Sequence, residues 1–284
     1  MTGPPPQPQA RAGVLTRDLW PRLVSGLALA AVAFVLLYLG GWWFALLVMA
    51  VALAMSWEWG GIVRGEGVDA ILVIHAFAVV VAGALAVMGH AGLGLIAAIV
   101  ATLVVGVLRF GAEALLSALG VLYTGLPVVV LIWLRDDGRL GFHAALLIIL
   151  LVSLTDIGAY FAGRLIGGPK LWPQVSPNKT WAGLMGGVVC AALAGALYAS
   201  LVPGASALRL ALTGGGLGIV AQAGDLAESA LKRRRGVKDA SALIPGHGGF
   251  MDRMDGLVTA AIAAGGVALL LGTQSPASGL LLGR

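Results

Sequence analysis

Cysteine is almost absent from this chain: Cys190, inside an apolar run, is the only one among 284 residues. A single cysteine cannot form an intramolecular disulfide, and it excludes a zinc site built from cysteines. We interpret Cys190 as a small core residue. Charged residues are also scarce, at 11% of the chain. The few that exist are therefore informative wherever they cluster.

Apolar residues are abundant. They make up 59% of the chain, against about 45–50% in soluble domains, and the mean hydropathy is +0.97. Such a chain needs lipid as the solvent for most of its surface. We predict an all-α, polytopic membrane protein with about nine transmembrane helices, at the apolar runs 22–40, 42–58, 70–89, 91–108, 114–134, 142–162, 181–202, 208–224 and 257–273.

The distribution of Lys and Arg predicts the orientation. With nine spans, 14 of the 18 basic residues fall on the side of the N-terminus, which is therefore expected to be cytoplasmic. We expect three parts: a disordered cytoplasmic tail (1–20), N-terminal transmembrane helices (21–140), and a catalytic transmembrane region with cytoplasmic loops (141–284). The Gly- and Ala-rich runs 7 and 8 indicate close helix packing.

One polar segment, Ser229–Asp255, concentrates the charge of the chain. It carries nine of the 31 charged residues, together with His247: Lys232, Arg233, Arg234, Arg235, Lys238, Asp239, Asp252, Arg253 and Asp255. Gly246, Gly248 and Gly249 allow a backbone turn whose N–H groups can hold phosphate oxygens. The bland alternatives are a positive-inside stop or a patch for anionic lipid headgroups at Lys232–Arg235, and an ordinary loop histidine at His247.

Three further polar groups are expected on the same side. Asp156 lies inside the sixth apolar run, where a carboxylate is costly and is by default a functional candidate; alternatively it is a structural partner of Arg164 or of a helix hydroxyl. In the segment SPNKT, Ser176 suits a helix N-cap and Pro177 the first helical position. Lys179 and Thr180 would then flank an anion site, although plain capping with a snorkelling lysine is the simpler interpretation.

The third group begins where the eighth run ends. If that helix continues, Asp225, Glu228, Ser229 and Lys232 share one face at i, i+3, i+4 and i+7. Carboxylates suit a divalent cation, and a lysine suits a phosphate. Hard oxygen ligands without cysteine favour Mg²⁺ over zinc. Together, the carboxylates, the basic residues and the glycine turn predict phosphoryl or nucleotidyl transfer at the membrane surface.

These residues also resemble a known family. Ser229-x-Leu231-Lys232-Arg233, Lys238-Asp239 and Pro245-x-His247-Gly248-Gly249-Phe250-x-Asp252-Arg253-x-Asp255 resemble the motif of the phosphatidate cytidylyltransferases, or CDP-diacylglycerol synthases. DIGAYFAGR at 156–164, SPNKT at 176–180 and GDLAES at 224–229 resemble the same family in the same order. Ile157 and Asn178 depart from it, where threonine and lysine are frequent. The second departure leaves the cation role there to Lys179.

The resemblance implies a reaction, cofactors and partners. CTP and phosphatidate would give CDP-diacylglycerol and pyrophosphate, with Mg²⁺ and a monovalent cation such as K⁺, in a homodimer of the inner cell membrane whose active site faces the cytoplasm. No nucleic-acid partner is expected. We assign catalytic roles to Lys232, Asp239, His247, Arg253 and Asp255. Substrate binding is assigned to Ser176, Lys179, Thr180, Arg233, Lys238, Gly248 and Gly249. Metal binding is assigned to Asp225, Asp252 and Asp156.

Two other functions are weighed against this one. A CTP-dependent lipid kinase would transfer the terminal phosphoryl group and release CDP instead of pyrophosphate. A transporter for an anionic solute would line a pathway with Asp156 and the basic loop, and would more often show internal repeats and charge on both membrane sides. The length of the motif match favours the cytidylyltransferase.

Overall fold

Each of the nine apolar runs forms a helix of at least 18 residues. The computed structural model describes residues 12–65, 68–109, 111, 113–244, 248–273 and 275–284. The nine long helices are α1 (Ala12–Leu39), α2 (Gly41–Arg64), α3 (Ala70–Val87), α4 (Ala91–Leu108), α5 (Ala114–Arg135), α6 (Gly138–Leu165), α7 (Trp181–Tyr198), α8 (Ala207–Arg234) and α9 (Met251–Leu271). The short elements are a 3₁₀ turn (Ala199–Leu201), a C-terminal helix α10 (Pro276–Leu282), and strands β1 (Lys170–Trp172) and β2 (Ser176–Thr180).

Seven of the described helices are long and apolar enough to cross a membrane, namely α2 to α7 and α9. Their outward side chains are apolar and exposed, as at Phe77 and Leu197, and lipid is the solvent that such a surface requires. Nine crossing helices were expected. Within the described residues of α1 the apolar stretch is Gly26–Leu39, and α8 is a 28-residue helix whose last two turns are strongly charged.

The N-terminal tail is described only in part. Residues 1–11 of the expected disordered segment lie outside the described residues, whereas α1 begins at Ala12, so residues 12–20 are helical. Helix α1 therefore begins ten residues before the apolar run at 22–40, because it includes the more polar residues that precede that run.

The helices pack as two neighbouring groups joined by α9. Helices α2 to α5 contact one another, as do α6 to α8, and α9 packs against α8, α5, α6 and α2. The close packing expected of the Gly-rich runs is confirmed where α7 meets α8. A Cβ added at Gly214 would overlap the carbonyl oxygen of Ala191, so the two backbones approach more closely than any larger residue permits.

The segment SPNKT is a strand and not a helix start, so the prediction of an N-cap at Ser176 is wrong. Ser176 pairs with Trp172 and Thr180 pairs with Lys170 in an antiparallel hairpin, which holds the segment extended. The N-cap of α7 is instead Thr180, whose Oγ1 accepts a hydrogen bond from the Gly183 N–H at 3.0 Å. The expected helical architecture is confirmed, and among the described residues this two-stranded hairpin is a small addition to it.

Candidate active site

A polar cavity of about 700 Å³ opens between α6, α7, α8, α9 and β2. Seven of the predicted site residues line it: Asp156, Lys179, Thr180, Asp225, Asp252, Arg253 and Asp255. They come from four separate segments of the chain, and the fold brings them to one place. A cavity of this size is in the range that takes a small-molecule or nucleotide ligand.

Lys179 and Asp225 form an ion pair across the cavity wall. The Lys179 Nζ at the end of β2 lies 2.5 Å from the Asp225 Oδ2 of α8. Ser229, one turn further along α8, donates its hydroxyl to Asp225 Oδ1 at 3.3 Å. The prediction that α8 continues through this stretch is confirmed, because the helix runs unbroken to Arg234.

Lys232 ties α8 to α9. Its Nζ lies 3.1 Å from Glu228 Oε2 and 2.5 Å from Asp252 Oδ1, and all three side chains are largely buried. Asp252 also accepts hydrogen bonds from the backbone N–H groups of Gly249 at 2.9 Å and Ala240 at 3.0 Å. A carboxylate in the first turn of a helix is further stabilised by the helix dipole. The orientation of Asp252 is therefore fixed by three donors: Lys232, Gly249 and Ala240.

Two more carboxylates face the same space. Asp156 of α6 is close enough to Asp225, Lys179 and Arg253 to interact with their charges, and Asp255 of α9 interacts likewise with Asp225 and Glu228. The cavity therefore combines a surplus of carboxylates with cationic side chains. This is the charge arrangement that a cation bound together with an anionic ligand requires.

The donor set fits Mg²⁺ bound together with phosphate. Among the residues that the structure describes, no three His, Cys, Asp or Glu side chains converge as a cage made of protein ligands alone. Mg²⁺ does not need such a cage, because it usually binds one or two carboxylates and completes its shell with water and substrate phosphates. Asp225 of α8 and Asp252 of α9 supply two carboxylates to the cavity lining, to which Asp156 and Asp255 also belong.

The remaining predicted residues lie outside this cavity lining. Lys232 is behind it, in contact with Asp252. Arg233 donates to the carbonyl oxygens of Val175 and Val237, both at 3.4 Å. Lys238 and Asp239 are exposed in the loop after α8, Ser176 begins β2, and Gly248 has a φ of +83°. His247 falls outside the described residues.

The N–H groups after the glycine turn already have partners. Gly249 donates to Asp252, while Phe250 and Met251 donate to Glu58 of α2 at 2.9 and 2.7 Å. Sequence reasoning missed Glu58, although a carboxylate at the end of an apolar run carried the same signal that drew attention to Asp156. It also missed four cavity-lining residues: Tyr160, Arg164, Asn178 and Gln222.

Comparisons with known proteins show which sequences this chain resembles. A model of the "Cytidylyltransferase family" matches residues 20–270. A phosphatidate cytidylyltransferase of Brucella suis is 38% identical over 254 residues, which cover 86% of this chain and 91% of the relative. One of Staphylococcus haemolyticus is 41% identical over 144 residues, covering 50% of this chain and 54% of the relative.

Proposed function

The chain belongs to the cytidylyltransferase family, and from this we propose that it is a phosphatidate cytidylyltransferase, which makes CDP-diacylglycerol and pyrophosphate from CTP and phosphatidate. The observation that carries the proposal is the presence of two carboxylate–lysine pairs at one cavity. Lys179, Asp225 and Asp252 line it, and Lys232 contacts Asp252 from behind the lining. They come from different elements and meet where two anionic substrates would have to approach each other.

The chemistry requires charge neutralisation more than proton transfer. A phosphate oxygen of phosphatidate attacks the α-phosphorus of CTP, and the bond from that phosphorus to the bridging oxygen breaks as pyrophosphate leaves. The attacking oxygen is already ionised at pH 7, so a strong general base is unnecessary. The barrier is one anion approaching another, and it falls when cations hold the groups in line.

The cavity residues divide this work between them. Lys179 and Arg253 face the cavity and neutralise phosphate charge, and Thr180 fixes the start of α7 beside them. Asp225 and Asp252 would hold Mg²⁺, with Asp156 and Asp255 adding negative charge nearby. Bound Mg²⁺ supplies electrostatic stabilisation of the charge that develops on the phosphate oxygens. K⁺ is proposed as an additional monovalent cation.

The residues outside the lining support the site. Lys232 neutralises Glu228 and orients Asp252. Arg233, Lys238 and Asp239 lie in or near the loop after α8, where they would meet the parts of the substrates that project from the cavity. Ser176 anchors the hairpin that carries Lys179, and Gly248 and Gly249 lie directly before α9. A catalytic role for His247 is part of the proposal.

The cellular setting is part of the proposal. The excess of Lys and Arg supports a cytoplasmic N-terminus and an active site facing the cytoplasm, in a multi-pass protein of the inner membrane. CTP would then enter from the aqueous side and phosphatidate from the bilayer. We propose a homodimer and no nucleic-acid partner.

The decisive experiment is a product analysis. Purified protein is incubated with radiolabelled CTP, phosphatidate and Mg²⁺, with and without chelator, and both lipid and soluble products are separated by chromatography. We expect CDP-diacylglycerol and pyrophosphate in equal amounts. Release of CDP with a phosphorylated lipid would instead identify a lipid kinase. Movement of an anionic solute into sealed vesicles without nucleotide consumption would identify a transporter.

A further inference from the structure

Glu58 is a buried carboxylate in the half of the chain that does not line the cavity. It lies in α2 with 1% of its surface exposed. Its Oε1 accepts hydrogen bonds from the Phe250 N–H at 2.9 Å and from the Ser241 hydroxyl at 2.5 Å. Its Oε2 accepts one from the Met251 N–H at 2.7 Å. One side chain thus holds both the loop before α9 and the first residues of α9.

Among the described residues, this carboxylate is stabilised by N–H groups at the start of a helix and not by a lysine or arginine. In the part of the chain that the structure describes, no Lys or Arg lies within ion-pair distance of Glu58. An isolated buried carboxylate is very costly unless it is fully hydrogen-bonded. The first N–H groups of a helix lack partners within the helix and carry partial positive charge, so they suit an anion. Glu58 therefore occupies the anion site at the start of α9.

The contact has no spare room. A Cβ added at Gly249 would lie 2.5 Å from Glu58 Oε1 and would force the carboxylate to move. The N–H of the same Gly249 donates to Asp252 Oδ2. The turn 249–251 is thus held on one side by Glu58 of α2 and on the other by Asp252 of α9, and a shift of one carboxylate displaces the donors of the other.

We propose that Glu58 is a positioning residue, which fixes the N-terminal turn of α9 so that Asp252 faces the cavity in one orientation. Glu58 does not line the cavity and touches neither substrate. The effect of Glu58 on turnover rests on the proposed function, because Asp252 is required for catalysis only if that function is correct. The effect of Glu58 on the turn 249–251 is independent of the function.

The test replaces Glu58 by Gln in the full chain in detergent. Gln keeps the shape but directs an amide N–H₂ at a backbone donor, which breaks at least one charge-assisted hydrogen bond. We expect hydrogen–deuterium exchange of peptides spanning 248–254 to accelerate about tenfold or more, while peptides of α3 and α4 keep their rates. We also expect kcat to fall about tenfold and the Mg²⁺ concentration for half-maximal activity to rise, with KM for phosphatidate unchanged.

Two further variants bear on the same contact without removing the charge. Ser241→Ala deletes only the hydroxyl donor, and Gly249→Ala places a methyl group against Oε1. Both should accelerate exchange in the same peptides. Gly249→Ala should be partly rescued by Glu58→Asp, whose shorter side chain makes room for the methyl group. Gly266→Ala, also in α9 but with open space around the added methyl, is the matched control and should change neither exchange nor kcat.

The results separate this inference from the proposed function. Uniform acceleration of exchange along the chain in Glu58→Gln, or no change at 248–254, overturns the positioning role. A Glu58→Gln variant whose only kinetic change is a higher KM for phosphatidate also overturns it. If the wild-type protein forms no CDP-diacylglycerol, the proposed function fails, and the exchange data still decide whether Glu58 holds the turn.

Discussion

Lys179 and Asp225 are 46 positions apart in the numbering, and their charged groups meet at 2.5 Å. One ends a β-hairpin and the other lies in a long helix, so the pair joins two elements at the cavity. Both carboxylates proposed to bind Mg²⁺ are paired with a lysine: Asp225 with Lys179, and Asp252 with Lys232, which Glu228 shares. Each therefore has a cationic partner within the protein.

Replacing Asp225 by Asn should abolish CDP-diacylglycerol formation while leaving a folded, membrane-inserted protein. The amide cannot supply the negative charge that the cation needs, and we expect a loss of about 10²-fold or more, as for other groups that stabilise developing charge. Activity is measured with purified protein, and folding by size-exclusion chromatography in detergent. Asp252→Asn should behave in the same way.

The matched control for these variants is Glu113→Gln. It removes a partly exposed carboxylate that pairs with Arg235 outside the cavity, so activity should be retained. Turnover at the wild-type rate in both Asp225→Asn and Asp252→Asn would end the assignment of these residues.

Replacing Lys232 by Met should destabilise the protein and not only inactivate it. The change leaves Glu228 and Asp252 as buried carboxylates without their shared cation, and breaking a buried pair from one side costs about 3–5 kcal/mol. We expect a lower unfolding temperature, measured by intrinsic fluorescence. The double variant Glu228→Gln with Lys232→Met should recover part of that loss, and an equally unstable double variant would contradict the account.

Replacing Gly224 by Ala should disturb the contact between α8 and α9 directly beside Asp225. The added methyl would overlap the Thr259 side chain, and overpacking of this kind costs about 1–3 kcal/mol. We expect lower stability and reduced kcat, with partial recovery when Thr259→Ala removes the nearest atoms. Gly216→Ala, in α8 with open space around the added methyl, is the control and should be tolerated.

Removing divalent cations should stop the reaction without unfolding the protein. Asp225 and Asp252 keep their lysine partners when no metal is bound, so chelation leaves neither carboxylate without a cationic partner. Activity should vanish with EDTA and return with added Mg²⁺, while the unfolding temperature stays constant in the absence of substrate. A large fall in that temperature would show that the metal is structural.

The sequence predicted the helices and the charged face of α8 because both depend on periodicity. Apolar runs of spanning length and the i, i+3, i+4, i+7 spacing from Asp225 to Lys232 are local patterns, and the structure follows them. Asp156, Lys179 and Asp252 also line one cavity, but no local sequence pattern could predict the distances between their side chains.

The rest depended on contacts between distant segments. Ser176 and Pro177 read locally as a helix start, yet pairing with Lys170–Trp172 makes the segment a strand. Glu58 stands nearly 200 positions before its partners Phe250 and Met251, so its place at the end of an apolar run marked it as unusual but could not identify its partners. The glycine turn suggested free N–H groups, but from Gly249 to Met251 they donate to carboxylates.

Because Glu58 of α2 caps α9, the C-terminal half that carries the sequence motif does not contain every residue that holds the site in place. A fragment that begins after α5 would retain Asp225, Lys232 and Asp252 but lack Glu58. Its ninth helix would start with unmatched amides and a loosened turn. Evolutionary or engineered exchange of the two halves should therefore succeed only when the donor of the first half brings an acid at this position.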